Sequence, residues 1–440
     1  YRTSEEAFFE PLRKTVDNLK IRLSYGSLGN QQIGYYDFIQ TITTKGSMGD
    51  YSFDGTILGQ HATVSDPVSG NQTWEKVISK NLGADLNMFS NRLSLTADFY
   101  IRDTKGILGK GKSLPSIYGA NEPQVNSNNL RTKGYELVLG WRDSFKLAGS
   151  TFSYGITGTF SDYTAEYTKC DNPSGLIGDP YVGKKYGEIW GYKVDGLFRN
   201  DEEAAEYASR VDLSKVAAGY YSATGAYGKG VRGGDIKYLD LDGSGIVDGG
   251  KGTLEDPGDR RVIGNSSPRY QYGLTLNLSW YGFDLSVFMQ GIGRLDWYPG
   301  ADNLRFWGPY SRPYATFIPK NFMSQVWSES NPDAYLPRAR AYTSLNSTQG
   351  TAYYTNDRYL QNLAYCRLKN LTLGYTIPKR LTSKVGIKEC RVYFSGENLA
   401  TWSALKNDFL DPEQAAADSD KKSNVYPWCR TYSVGLNLTF

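Results

Sequence analysis

Histidine is almost absent from this chain. His61 stands alone among 440 residues. The usual zinc sites and most Ser-His or Cys-His machinery therefore drop from the first rank. Cysteine is scarce too: Cys170, Cys366, Cys390 and Cys429 show no metal-ligand spacing and are too few for a disulfide scaffold, so isolated thiols, or one bridge at most, are expected. No apolar run approaches the ~20 residues a spanning helix needs, and mean hydropathy is -0.50. That excludes a helical membrane protein. It leaves a membrane β-barrel open, because lumen face and loops dilute the hydropathy of a barrel. Basic residues are scattered and the net charge is +3, so no patch suggests nucleic acid. Phosphate-cradling glycine loops and nucleophile elbows are missing. The 46 acidic residues include close pairs by chance, and nothing local marks one pair for glycoside hydrolysis.

Tyrosine is abundant. There are 35 Tyr against 18 Phe, which favours half-wet surfaces where a ring buries its body and keeps its hydroxyl in water. The length suits two or three soluble domains or one large barrel. The segment Thr431–Phe440 decides more. Tyr432, Val434, Leu436, Leu438 and Phe440 fall on one face, and Thr431, Ser433, Gly435, Asn437 and Thr439 on the other. Such alternation means a strand with one apolar face. A terminal strand ending on Phe is typical of bacterial outer-membrane barrels. The same pattern also suits a soluble sandwich with its apolar side turned inward. Tyr1 is not Met, no signal peptide precedes it, and residues 1–18 read as the end of one element and a turn, so a piece of a longer chain is expected.

Strand-like alternation recurs about ten times, near 19–25, 76–86, 93–101, 135–141, 152–160, 270–280, 283–289, 371–375, 392–394 and 431–440. The connections alternate in length. Short ones fall near 87–91, 143–150, 281–282 and 377–389. Long ones fall near 29–74, 105–131, 163–267, 292–358 and 401–427. A soluble sandwich has no reason to send every long loop to one end, whereas outer-membrane barrels pair tight periplasmic turns with long outer loops. Tyr25, Trp141, Tyr270 and Trp280 sit at strand ends, as an interfacial girdle requires. The fold class expected is all-β, a transmembrane antiparallel β-barrel. A lipid-exposed sheet edge would leave backbone groups unpaired in hydrocarbon, so the ten strands are expected to be part of a larger closed sheet.

Several segments carry a family resemblance: Asn18–Gln31, Asn81–Leu93 running into Asp98–Tyr100, Gly191–Phe198, Gly234–Asp248, Asp259–Gly264, Pro268, Gly282–Gly291, Gly396–Leu399, Tyr426-Pro427 and Arg430–Tyr432. Together they resemble the SusC/RagA-like TonB-dependent transporters of the Bacteroidetes outer membrane, in order along nearly the whole chain. The resemblance implies that residues 1–440 are the C-terminal part of a 22-stranded barrel. It implies an upstream plug domain and TonB-contacting segment, both absent here, a SusD-like surface lipoprotein as lid, and a dimer of such pairs. The implied activity is TonB-driven import of oligosaccharides or, in some members, peptides. The alternatives are a soluble secreted all-β glycan-binding or glycan-hydrolysing protein, and a siderophore or cobalamin receptor.

Two constellations stand out. Asp240, Asp242, Ser244, Ile246 (through its carbonyl) and Asp248 occupy calcium-loop positions, with Gly245 for the sharp turn. Position 12 holds Lys251 instead of the usual Glu, so Asp235, Glu255, Asp256 or Asp259 would have to substitute. The alternative is a metal-free loop held by Asp/Gly turn chemistry. A structural Ca2+ would rigidify the loop. The second constellation is aromatic: Trp190, Trp297, Trp307, Tyr310 and Tyr314, with Tyr181, Tyr186, Tyr298, Tyr353 and Tyr354, all in the two longest loops. Ring faces there would pack on sugar C–H faces; loop packing or contact with a lid is the plainer role. Lys20, Arg22, Asp98, Arg102, Glu136 and Arg269 are expected on a solvated or plug-packed lumen wall.

Overall fold

Ten strands hydrogen-bond in strict sequence order into one antiparallel sheet. They are β1 Val16–Asn30, β2 Glu75–Met88, β3 Leu93–Lys110, β4 Gln124–Leu147, β5 Ser150–Lys169, β6 Arg269–Trp280, β7 Phe283–Arg294, β8 Tyr365–Thr376, β9 Glu389–Ser403 and β10 Thr431–Thr439. The computed structural model describes residues 1–30, 39–45, 52–53, 56–57, 61–112, 114–221, 230–312, 314, 316, 318–340, 345, 350–406, 410–417 and 426–440. Gln31 and the remainder of the first long connection's start lie outside them. Among the described residues no helix is long and apolar enough to cross a membrane.

Each expected strand is present, and the register explains why the alternation was visible. Leu23, Leu82, Phe99 and Tyr135 are successive cross-strand partners, as are Leu19, Leu86, Leu95 and Leu139. Partners share a face, so the apolar residues form continuous rows. These rows are bare: Leu23 and Val434 are each 79% exposed, and Leu274, Leu373 and Leu436 are also exposed. A soluble sandwich would have buried them between two sheets. The opposite face is polar and cross-linked by charge. Arg22 bonds Asp85 and Asp98 on the two neighbouring strands at 2.8–3.1 Å, and Arg391 bonds Asp284.

The turns follow the expected parity. Ala148-Gly149 and Tyr281-Gly282 close two-residue hairpins with both residues at positive φ, 49° and 85° in the first and 50° and 84° in the second. That is the primed turn whose twist matches the flanking strands. Phe89–Asn91 and the segment 377–388 make the other connections at this end. All the long connections leave from the other end. Aromatics ring both margins: Phe145, Phe152, Trp280 and Phe283 near the turns, and Tyr135, Phe160 and Tyr270 towards the loops.

Two expectations need correction. The connection placed at 105–131 is only 111–123, because β3 and β4 stay paired out to Lys110 and Gln124. There the register shifts at Lys105/Ile107 and Ile107/Leu108 and polar Ser127 and Asn128 are buried, so the alternation fades although the ladder continues. Arg269 does not line the lumen with Arg22. Its guanidinium bonds Asp162 at 2.6 Å, and Asp162 pairs with Tyr135 in an outer row. Tyr270 has φ +56°, which interrupts the alternation at the start of β6.

The hydrophobic core lies in the loops. Phe198, Tyr220, Ile236, Tyr238, Val247, Phe306, Trp307, Tyr359 and Leu410 belong to one buried cluster drawn from the connections 170–268, 295–364 and 404–430. The last of these is pinned inward by charge: Arg367, nearly buried on β8, bonds Asp411 and Glu413 at 2.7 and 2.8 Å, and Lys369 adds a second contact to Glu413.

Candidate functional site

Two short two-stranded ladders in the packed loops frame an aromatic cavity. Glu188–Tyr192 pairs with Arg260–Asn265, and Asp296–Trp297 pairs with Gln361–Asn362. Between them lies a cavity of about 890 Å³ lined by Glu188, Trp190, Tyr192, Arg260, Asp296, Trp297, Tyr298, Tyr353 and Tyr354, with Gly249–Gly252 on one side. Its size is that of a small-ligand pocket. Polar groups are fixed around the rings. Glu188 accepts from the Trp190 indole at 2.7 Å and from the Tyr181 hydroxyl. Burial, then this carboxylate, pushes the Tyr181 phenol up to about 12. Asp296 accepts from Asn265 N–H and from Arg294. Buried Asn356 donates to the Tyr298 hydroxyl at 3.1 Å. The buried Trp297 Nε1 and Arg260 Nε have no hydrogen-bond partner among the described residues, an unmet demand that a ligand oxygen could satisfy.

The structure thus gathers two of the five aromatic residues expected to bind substrate, Trp190 and Trp297. Trp307 and Tyr310 are corrected. They are 0% and 2% exposed, packed against Tyr359 and Phe322, and hold the loop core. Tyr314 is 85% exposed and does not line the cavity. Glu188, Arg260 and Asp296 were missed. Arg260 belongs to the Asp259–Gly264 motif, but nothing local in the sequence placed it beside Trp297.

The acidic loop adjoins this cavity through Gly249, whose carbonyl accepts from Arg260 at 2.7 Å. Carboxylate oxygens of Asp240, Asp242 and Asp259 lie within 4.8 Å of one another. Asp259, fully buried, supplies the acid that Lys251 does not, as one of the substitutes considered. Asp248 lies outside this group of three and accepts from Gly250 N–H, while the Ser244 hydroxyl donates to the Ile246 carbonyl at 3.0 Å. Turn chemistry is prominent here. Asp240 accepts from Gly243 and Gly245 N–H, and Asp259 from Leu241 and Asp248 N–H. Burial nevertheless raises the Asp259 carboxyl above its ordinary range, a cost that a cation would offset.

TonB-dependent receptor P3 of Formosa agariphila is 26% identical over 449 residues, covering 97% of this chain and 40% of that protein. SusC of Bacteroides thetaiotaomicron is 21% identical over 460 residues, covering all of this chain and 39% of that one. The chain resembles the SusC/RagA-like TonB-dependent receptors along its whole length. No family model matches it. Among solved structures, that of the RagAB peptide transporter aligns with a TM-score of 0.69 at 20% identity, covering all of this chain and 42% of that chain; a RagAB peptide importer in an open-open state aligns at 0.67. The structural likenesses give the ten-stranded sheet the fold of a stretch of β-barrel wall. The chain spans about two-fifths of the length of the relatives it matches.

Proposed function

We propose that this chain is the loop-bearing wall of a TonB-energised outer-membrane importer, and that its cargo is an oligosaccharide. The observation that carries the reading is the division of the molecule. Apolar rows cover the outer face of the sheet, while the long connections leave from one end and three of them, 170–268, 295–364 and 404–430, pack into a cap that contains an aromatic cavity. A wall of this kind needs lipid on one side. A cavity of indole and phenol rings among fixed Glu, Asp and Arg groups suits sugar rings, whose C–H faces pack on aromatics while their hydroxyls take the polar groups. Under this reading the loops face the cell exterior beneath a SusD-like lipoprotein lid. The plug and the TonB contact come from outside these residues, and the chain is not an enzyme. RagAB is named a peptide transporter, so a peptide is the rival cargo.

Full-length importer with its lid should be titrated against oligosaccharide and oligopeptide panels by calorimetry. Oligosaccharide binding that weakens about fivefold in Trp190→Ala, as loss of about 1 kcal/mol of ring stacking would give, supports the reading. Binding of peptides alone defeats it. We further propose Ca2+ at Asp240, Asp242 and Asp259, rigidifying the loop that borders the cavity. EDTA should then raise proteolysis within 240–259, and Asp259→Asn should mimic it; unchanged cleavage in EDTA argues for a metal-free turn.

A further inference from the structure

The outer face of the wall changes character several residues short of the loops. On β2 the apolar column Met88, Leu86, Ala84, Leu82 is interrupted by Lys80, with Ile78 beyond it, and on β4 the column Trp141, Leu139, Leu137, Tyr135 ends at Lys133. The two lysines lie in one cross-strand row, Tyr25, Lys80, Ile101, Lys133, Thr164. Their Cα atoms are therefore two inter-strand spacings apart, roughly 10 Å, and their flexible stems can converge over Ile101. Neither forms a salt bridge among the described residues, whereas Arg22, Arg131, Arg269 and Arg391 of the same wall all do. A groove of about 760 Å³ runs beneath them, floored by exposed Leu23, Leu82, Phe99 and Ile101. Its other ionisable groups, Asp162 and Arg269, neutralise each other. In the next outer row Arg131 stands between Asp103, which it bonds, and Glu166, so over the two rows three basic groups face two acids and the rim keeps an excess of positive charge at the boundary between an apolar floor and water.

We propose that this rim binds a lipid bearing a phosphate group, the phosphate held between Lys80 and Lys133 with the Tyr25 hydroxyl at hand, and an acyl chain lying along Leu23, Leu82 and Phe99. Lysines that merely snorkel to water need neither a shared row nor a groove. A neutral lipid would leave the excess positive charge unmatched. The site rests on the outward orientation of the apolar rows, and it is independent of the cargo.

Detergent-purified full-length protein, incubated with dioleoyl phosphatidic acid, tests it by native mass spectrometry. The phospholipid should be retained. Lys80→Gln with Lys133→Gln should lower retention at least tenfold, the double Arg variant should restore it, and Lys146→Gln, at the turn end, should leave it unchanged. Equal retention of dioleoylglycerol, which lacks the phosphate, overturns the proposal. So does full displacement by millimolar inorganic phosphate, which would mean a free-anion site. An absent adduct in protein that still requires detergent defeats the lipid site alone; protein that stays monodisperse without detergent defeats the orientation of the wall as well.

Discussion

Trp190 and Trp307 come from the same two long loops and have opposite roles. Trp190 lines the cavity with its indole N–H tied to Glu188. Trp307 is sealed among Phe306, Tyr310 and Tyr359. Truncating a fully buried aromatic costs about 3–5 kcal/mol. Trp307→Ala should therefore lower the unfolding temperature of the loop cap in a fluorescence melt. Trp190→Ala should leave that temperature unchanged and weaken ligand binding only. A melt unaffected by Trp307→Ala would return that residue to the surface. The acidic loop teaches a similar lesson. Its spacing marked Asp240 and Asp242, but the third carboxylate, Asp259, arrives across a turn that no local pattern specifies.

At the scale of the strand, period two carries most of the information. Leu276 on β6 pairs with Ile156 and Val287 in an outer row, while its neighbour Thr275 pairs with Thr157 and Phe288 on the other face. A cationic side chain on the lipid face near mid-membrane costs about 2–4 kcal/mol. Leu276→Arg should sharply reduce folding into vesicles, read from the heat-modifiable band on an unheated gel, and Thr275→Arg should fold nearly as well as the parent. Equal losses would mean that the two faces had been assigned wrongly. Strand positions were legible because hydrocarbon on one side and water on the other impose the alternation. Strand ends at 105–110 and 124–131 were not, because there bulges break the register and polar side chains, Asn126 and Asn129 bonding Gly106 and Arg131 bonding Asp103, join the strands in place of an apolar row.

For the whole molecule, among the described residues β1 and β10 each have a strand partner on one side only, the free side of β1 carrying just an isolated bridge from Arg2 to Lys20. Their open edges offer unpaired N–H and C=O groups, which invite association in water and are intolerable in hydrocarbon. Residues 1–440 expressed alone should accordingly aggregate even in detergent, whereas the full-length protein should give a monodisperse, heat-modifiable species. A monodisperse fragment would mean that its edges close on themselves. What the sequence by itself determined is the wall: ten strands, their faces, and the alternation of tight turns with long connections. Each follows from a solvent difference across the sheet that acts on every second residue. What only the tertiary structure decided is the cap. Which aromatics became core and which line the cavity, which acids meet, and which lysines share the rim depend on contacts between segments far apart in the chain, where no periodic constraint leaves a mark on the sequence.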